Sequence, residues 1–289
     1  MPFGRRKFLK TGTALTLGSV LAKATDAAAD SVKADPENDF RNVLEHLRLA
    51  LNERGFSQIP AQPIVSEMID YNGGLRHDSD LGQLEAAQFV VQPCARLADI
   101  EERERADILP LFHECACRHA EGVDPGANAR MLVRLLTDEF GLDPTRLAFV
   151  SVPIAEAMRP DMADLGFDFD EKVFIRDQDE AFAARDSSGF FFQDPSLPDH
   201  MVTMGVYYRL SEDGAAALTA YPPPPDWSEI AEIVIDGASP QVFAIGVERL
   251  ALVTSGRFPS WQHRLARLRD AVANDSSGRE PPPGMSRYE

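Results

Sequence analysis

The sequence predicts an α+β domain in which a largely antiparallel sheet is flanked by helices. Two segments, "FRNVLEHLRLALNERGF" (residues 40–56) and "ARMLVRLLTDEFG" (129–141), carry apolar residues at helical spacing. Other segments, such as "MVTMGVYYRL" (201–210) and "IAEIVID" (230–236), are rich in the β-branched and aromatic residues that favour strands. The second helical segment leads directly into the strand-like "RLAFVSVP" (146–153), and this mixture of elements indicates a mixed fold.

Residues 1–29 are interpreted as an export signal rather than as part of the fold. Arg5-Arg6 is followed by Phe8-Leu9-Lys10, by an uncharged stretch from Thr11 to Ala22 and by Ala27-Ala28-Ala29. This order resembles the twin-arginine (Tat) translocation pattern, which implies a periplasmic or secreted protein, or a cytoplasmic one if the signal is not used. The apolar stretch is too short to cross a membrane, so no membrane span is expected in the mature form.

The chain of 289 residues, with 44% hydrophobic and 26% charged residues, fits one globular domain of ordinary composition. We expect this domain over residues 30–273. The remaining residues, 274–289, are rich in proline, serine and glycine and are expected to form a disordered tail.

Charge and cysteine content narrow the classes of function. Removing residues 1–29 takes away five basic side chains and one acidic side chain, which changes the formal net charge from −17 to −21. Such a protein repels phosphate backbones, so non-specific binding of nucleic acid is not expected. Three cysteines, an odd number, do not predict a disulfide framework.

The predicted elements follow one another in a simple order. The first helix begins after the polar stretch 35–39 and ends at Gly55. "AAQFVVQPCARLA" (86–98) and "ADILPLFHECACRHAEG" (106–122) form a pattern of strand, charged loop and strand. Near the end, "VFAIGVERLALVTSG" (242–256) and "WQHRLARLRDAVAN" (261–274) supply helices.

One segment, "AIGVERLALVTSG" (244–256), resembles motif 3 of the class II aminoacyl-tRNA synthetases, a strand that runs into a helix around Gly-x-Glu-Arg, and its form is closest to the alanyl type. "QPCAR" (92–96) and "LFHECA" (111–116) resemble the outgoing and returning strands of motif 2. "YNGGLRH" (71–77) and "GFFFQDPSLP" (189–198) match further segments of the family in the same order. The resemblance covers residues 40 to about 260 and implies a class II synthetase-like catalytic domain.

The resemblance implies a site for ATP with Mg²⁺ and an amino acid or other carboxylate as substrate. Arg96 and Arg249 match the two arginines that hold the phosphates, and fixed guanidinium groups stabilise the negative charge that develops during attack on phosphorus. Phe112 matches the aromatic residue near the adenine, and Glu114 and Glu248 match the motif glutamates. A simpler interpretation remains open, in which Arg249 pairs with a carboxylate of a neighbouring element and Arg96 is a solvated residue at a loop edge.

Departures from the family pattern keep a second function open. Val242 stands where the alanyl type has the acidic residue for the substrate's amino group, and Ala231-Glu232 replaces a Trp-Asn pair. Nothing after residue 270 in this sequence matches a tRNA-binding or editing domain. We therefore expect a stand-alone enzyme that makes an adenylate or transfers an aminoacyl group to a small molecule or carrier. The alternative is an exported, catalytically silent binding protein that uses the degenerate synthetase pocket. For either one, a homodimer of the kind usual in the family is a possibility that the sequence leaves open.

"HECACRH" places four residues of metal-ligating type on one face of a strand: His113, Cys115, Cys117 and His119. Same-face positions lie about 6.6 Å apart, so two or three of them could meet one ion only with help from another element. The simpler expectation is half-buried cysteines and solvated histidines, with a metal-dependent hydrolase as a third hypothesis. His200, in "LPDHM", is a weaker candidate for a general acid or base.

Overall fold

The computed structural model describes residues 36–61, 86–95, 108–119, 124–184, 188–192, 200–211, 217–236 and 242–274. Several sequence predictions fall outside the described residues: the export signal (1–29), "YNGGLRH", the tail beyond residue 274, and Arg96. These remain predictions.

The chain combines helices with runs of consecutive strands, in keeping with its mixed pattern. The helices are α1 (Pro36–Glu53), α2 (Pro125–Arg134), α3 (Arg159–Asp164), α4 (Phe169–Lys172), α5 (Gln178–Ala184), α6 (Val247–Ser255) and α7 (Trp261–Ala273). The strands are β1 (Ser57–Gln58), β2 (Gln88–Ala95), β3 (Leu111–Arg118), β4 (Leu147–Ser151), β5 (Val173–Ile175), β6 (Phe190–Phe191), β7 (Met201–Arg209), β8 (Trp227–Asp236) and β9 (Val242–Gly246).

All the described strands join one sheet, in the order β1-β2-β3-β9-β8-β7-β4-β5, with β6 paired to β7. The pairs β1·β2 and β4·β5 are parallel, and the other pairs are antiparallel. The last strand in sequence, β9, therefore lies in the middle of the sheet between β3 and β8. This position brings the C-terminal strand and helix next to the hairpin formed by β2 and β3.

The two faces of the sheet differ because side chains alternate along each strand. One face packs against the helices and carries the main core, which includes Phe89 and Cys115, Phe149 and Ile245, together with Leu47 of α1. We call this the helix face. The other face, which we call the site face, carries the alternate residues of the same strands. At the β4 and β7 side a smaller core covers the site face, and it includes Tyr207, Leu218 and Trp227.

Local sequence signals explain how the helices begin and end. In α1 the buried residues, Phe40, Val43, Leu47 and Leu51, recur at helical spacing and face the core. The α2 helix begins where Asp124 accepts a hydrogen bond from the Ala127 backbone N–H and Pro125 occupies the first turn. The α6 helix ends at Gly256, whose φ of 67° is the left-handed conformation that glycine adopts without strain.

The predicted architecture is confirmed: the domain is α+β, with a large and mostly antiparallel sheet flanked by helices. The parallel pairs lie towards the two edges of the sheet and involve the short strands β1 and β5. Within the described ranges, none of the helices combines the length and the apolar character that crossing a bilayer requires.

Candidate functional site

The candidate site is built where the β2–β3 hairpin meets the β9 strand and the α6 helix. Gln92 of β2 pairs with Glu114 of β3, and Glu114 pairs in turn with Gly246 of β9. Residues of the motif-2-like and motif-3-like segments thus lie side by side, although they are far apart in sequence. Because Gln92, Glu114 and Gly246 are register partners, they share the site face.

Small residues form the floor between these elements. Ala116 of β3 pairs with Ala244 of β9, and Ala244 pairs with Glu232 of β8. The next strand, β7, contributes Gly205 opposite Glu232. A Cβ atom at Gly205 would overlap the Ser188 hydroxyl, so only glycine leaves room there for the polar groups above the strand.

Arg249 lies in the first turn of α6 and folds back over the end of β9. Its side chain is 21% exposed, and its stem would be 3.7 Å from a Cβ atom at Gly246. The Nη1 atom donates a hydrogen bond of 3.1 Å to the Glu229 backbone carbonyl and lies 3.5 Å from Glu229 Oε2. The structure thus shows Arg249 beside a carboxylate of a neighbouring strand, as the simpler interpretation expected, and the arginine still borders the small-residue floor.

Two carboxylates of β8 form a polar cluster with Ser188. The Ser188 hydroxyl donates a hydrogen bond of 2.8 Å to Glu229 Oε1 and lies 2.7 Å from the Tyr207 hydroxyl. The Ser188 backbone N–H donates a hydrogen bond of 3.2 Å to Glu232 Oε1. Ser188 adopts a φ of 64°, an unusual conformation for a serine, and these contacts hold it there.

The carboxylates of this cluster influence one another. Burial, followed by the charge of Glu229, raises the pKa of Glu232 to about 7, and Glu114 adds to the effect. Glu114 and Glu232 lie on the two strands that flank β9, opposite Gly246 and Ala244 respectively. Burial and the charge of Glu229 likewise raise the pKa of Tyr207 well above its usual value. Around Arg249 the described residues therefore provide more carboxylates than guanidinium groups, and a ligand with a cationic group would relieve the repulsion between these carboxylates.

Glu248, the neighbour of Arg249, faces the other way and joins four elements on the helix side. It is 7% exposed and accepts hydrogen bonds of 2.7 Å from the His113 backbone N–H and of 2.9 Å from Arg267 Nη2. The His113 ring nitrogen Nδ1 lies 2.7 Å from Glu248 Oε1. Arg267 also approaches Glu37 at 3.5 Å. These contacts fix α6 against β3, α7 and α1, and a direct contact between Glu248 and a nucleotide stays a prediction.

Burial opposes the ionisation of Glu248, but the charge and hydrogen bonds of His113 and the charge of Arg267 outweigh it. The net result is a lowered pKa for the Glu248 carboxyl group. Glu248 is therefore a charged, fully engaged residue at neutral pH. It orients the first turn of α6, from which Arg249 extends.

The "HECACRH" strand alternates as predicted, but it packs instead of forming a metal site. Cys115 and Cys117 are fully buried on the helix face, and burial raises the pKa of Cys117 well above its usual value. The histidines are not solvated, contrary to the simpler expectation: His113 packs against Phe40, and His119 packs against Phe56 and Phe243. Burial lowers the pKa of His119. Among the described residues, no group of three or more His, Cys, Asp or Glu side chains could hold a metal ion.

The other sequence candidates are placed as follows. Phe112 is half-buried on β3, two residues before Glu114 on the site face. Arg96 follows directly after β2 but lies outside the described residues. His200 is exposed and packs against three phenylalanines, Phe182, Phe190 and Phe192. The α7 helix is docked on the rest of the domain, because the guanidinium group of Arg264 donates to the Ile108 carbonyl and Arg267 binds Glu248.

Sequence reasoning missed three residues of the site. Glu229 and Tyr207 lie in strands whose pattern gave no functional signal, and Ser188 lies in an irregular segment. Glu232 was noted only as a departure from the family pattern. A charged residue in the middle of "IAEIVID" was the one signal that could have identified it.

Comparison with known proteins gives a distant structural likeness. No protein-family model matches the chain, and no curated protein matches it. Among solved structures, asparaginyl-tRNA synthetase from Pyrococcus horikoshii is similar at a TM-score of 0.36 and 14% identity, over 77% of this chain and 65% of that chain. The same enzyme complexed with asparaginyl-adenylate is similar at 0.36 and 15%, over 77% of this chain and 66% of that chain. The chain thus spans just under two thirds of these proteins.

Proposed function

We propose that this protein is a class II synthetase-like enzyme that uses ATP to activate the carboxylate of an amino acid or a related small molecule. The observation that carries the proposal is the pairing of Glu114 with Gly246, with Arg249 folded over that glycine. This pairing joins the two segments that resemble motifs 2 and 3 at one place on the site face. The alanyl-type assignment and the transfer of the acyl group to a carrier belong to the same proposal.

The chemistry follows from the charges at the site. A carboxylate oxygen attacks the α-phosphorus of ATP, the bond from that phosphorus to the oxygen bridging to the β-phosphate breaks, and pyrophosphate leaves. The guanidinium groups of Arg249 and Arg96 would stabilise the negative charge that accumulates on the phosphate oxygens. Mg²⁺, when bound, would neutralise part of this charge, and it would be held mainly by the phosphates together with one or two carboxylates. Glu229, once a nucleotide displaces it from Arg249, is the candidate.

Arg249 must exchange its partner for this function. Its Nη1 atom lies 3.5 Å from Glu229 Oε2, an interaction that partial exposure keeps weak. A phosphate can offer the same guanidinium group two charge-assisted hydrogen bonds. We therefore expect a nucleotide to displace Glu229 from Arg249.

The test is calorimetric titration of MgATP into residues 30–289, compared with Arg249→Ala and Arg249→Lys. We expect the wild type to bind and Arg249→Ala to lose at least about tenfold in affinity, because a charge-assisted hydrogen bond is lost. Arg249→Lys should retain part of the affinity. Arg134→Ala, which removes an exposed arginine from α2, is the matched control and should bind as the wild type does.

Two results would contradict the proposal. No binding of MgATP to the wild type would exclude activation by ATP. Equal binding by the wild type and by a folded Arg249→Ala would remove Arg249 from the site. If MgATP does bind, exchange of labelled pyrophosphate into ATP in the presence of an amino acid distinguishes an active enzyme from a protein that only binds the nucleotide.

A catalytically silent binding protein is the second candidate, and one observation favours it. Arg249 has both the backbone carbonyl and the carboxylate of Glu229 as neighbours, and these groups of the protein itself can balance its charge. On this reading the protein binds a small cationic or zwitterionic ligand, and no pyrophosphate exchange occurs with any amino acid.

We also propose that the protein is exported by the twin-arginine route, on the basis of residues 1–29. Cell fractionation of the full chain, compared with a variant in which Arg5 and Arg6 are both changed to Lys, is the test. We expect the wild type in the periplasmic or secreted fraction and the variant in the cytoplasm. The same distribution for both proteins would contradict export by this route.

A further inference from the structure

Arg118, the last residue of β3, is a buried cation for which the described residues provide no partner. It is 6% exposed, and its Nε atom is buried with no hydrogen-bond partner in the structure. No hydrogen bond or ion pair of its guanidinium group is present within the described ranges. Burying an unpaired charge is costly, and proteins normally pair such a group or use it.

The strand register places Arg118 at one end of the site face. Arg118 pairs with Gln88 of β2 and with Val242 of β9. It lies two residues beyond Ala116 and four beyond Glu114, so strand alternation puts all three side chains on the same face. Successive same-face residues are roughly 7 Å apart, so Arg118 is within side-chain reach of the floor at Ala116 and Ala244.

The charges along the site face then alternate. Arg249 lies beside Gly246 at one end, Glu114 and Glu232 flank the small-residue floor, and Arg118 lies at the other end. A ligand complementary to this order carries an anion, an ammonium group and a second anion. An α-amino acid with an acidic side chain has these three groups in this order.

We propose that Arg118 is a specificity-determining residue that binds the side-chain carboxylate of an acidic amino acid, with the α-ammonium group between Glu114 and Glu232. This inference deepens the proposed function, because the remaining α-carboxylate then points towards Arg249 and the nucleotide. Ala116 and Ala244 contribute only methyl groups to the floor between the two carboxylates, and the place above Gly205 is taken by the Ser188 hydroxyl. Arg118 would contribute a charge-assisted hydrogen bond that the neutral amide analogue of the substrate weakens.

The experiment measures binding of L-aspartate and L-glutamate, each against its amide, L-asparagine or L-glutamine. Titrations are made with residues 30–289, with and without MgATP. We expect one acid to bind at least about tenfold more tightly than its amide, a ratio typical of one charged hydrogen bond. Arg118→Met should abolish this preference, and Arg118→Lys should restore part of it. Arg134→Met, at an exposed position of α2, should leave the preference unchanged.

Thermal unfolding without ligand separates a binding role from a structural one. If Arg118 serves the ligand, Arg118→Met is at least as stable as the wild type, because an unpaired buried cation has been replaced by an apolar side chain of similar length. A clear loss of stability in this variant would overturn the inference, as would equal binding of acid and amide by the wild type. An Arg118-dependent preference without any binding of MgATP would support the inference while the proposed activation fails.

Discussion

Replacing Glu248 with alanine is expected to reduce the free energy of unfolding at pH 7 by about 3 kcal/mol, near the lower end of what breaking a buried ion pair costs. The carboxylate serves three donors at once: the His113 backbone N–H, the His113 ring and Arg267. The variant leaves a buried backbone N–H without an acceptor and a half-buried guanidinium group with only the weaker contact to Glu37. For a domain of this size the melting temperature should fall by about 9 °C.

The same variant has a pH dependence whose sign is fixed by the lowered pKa of Glu248. A carboxyl group whose folded pKa is below its unfolded pKa stabilises the fold above the unfolded value of about 4.5. This contribution is lost as the pH falls through the folded pKa. The difference in stability between wild type and Glu248→Ala should therefore shrink at acidic pH.

Urea unfolding of both proteins at pH 7 and pH 4 measures these differences. Glu53→Ala, which removes an exposed glutamate near the end of α1, is the control and should change the stability by less than about 0.5 kcal/mol. A Glu248→Ala variant as stable as this control would show that the hydrogen bonds and ion pairs joining β3, α6 and α7 contribute nothing to the stability of the fold.

Much of the fold was accessible from the sequence because local patterns carry it. The α1 and α2 helices have apolar stripes at helical spacing and recognisable ends, so their existence and approximate bounds were predictable. The β2–β3 hairpin was predicted by the succession of a strand-like segment, a charged loop and a second strand-like segment. The two-residue strands β1 and β6 have no such pattern, since each is defined only by its pairing with a longer neighbour.

The partners of charged residues were not accessible in the same way. The sequence singled out Arg249 and Glu248 as an adjacent pair, but it could not show that they face opposite sides of α6. Glu229 and His113, their partners, come from strands that the fold brings together only through β9. The sequence did not single out Arg118, because its burial and its place beside Gln88 and Val242 depend on the pairing of β3 with two strands that are distant in sequence from each other.

The metal hypothesis for "HECACRH" shows the same limit. Its four residues alternate as the strand requires, but ligation needs free side chains on a common accessible surface. Cys115 and Cys117 are packed in the main core, and the His113 ring is engaged by Glu248. The predicted alternation of the four side chains is present, but their tertiary contacts make them part of the packing.

Glu232→Gln is expected to make the protein more stable at pH 8, by about 2 kcal/mol. Burial and neighbouring carboxylates raise the pKa of Glu232 to about 7, so the folded protein holds a proton that the unfolded chain has already lost above pH 4.5. The stability of the wild type consequently falls as the pH rises from about 4.5 to about 7, and it stays reduced above that window. Glutamine is neutral at every pH and can still accept the hydrogen bond from the Ser188 backbone N–H. We expect a gain in the free energy of unfolding that is smaller than the pKa shift of Glu232 alone would give, because Glu232 is partly exposed to solvent.

Urea unfolding of wild type and Glu232→Gln at pH 5 and pH 8, with Glu53→Gln as the exposed control, tests this expectation. The gain should be large at pH 8 and small at pH 5, whereas an equal gain at both values would mean that ionisation of Glu232 is not its source.

A carboxylate that lowers the stability of the fold at neutral pH, in the middle of an apolar strand, is best explained by a role in binding. The stabilised Glu232→Gln variant should accordingly bind an α-ammonium ligand less tightly than the wild type, and a variant that gained stability with unchanged ligand affinity would remove Glu232 from the site.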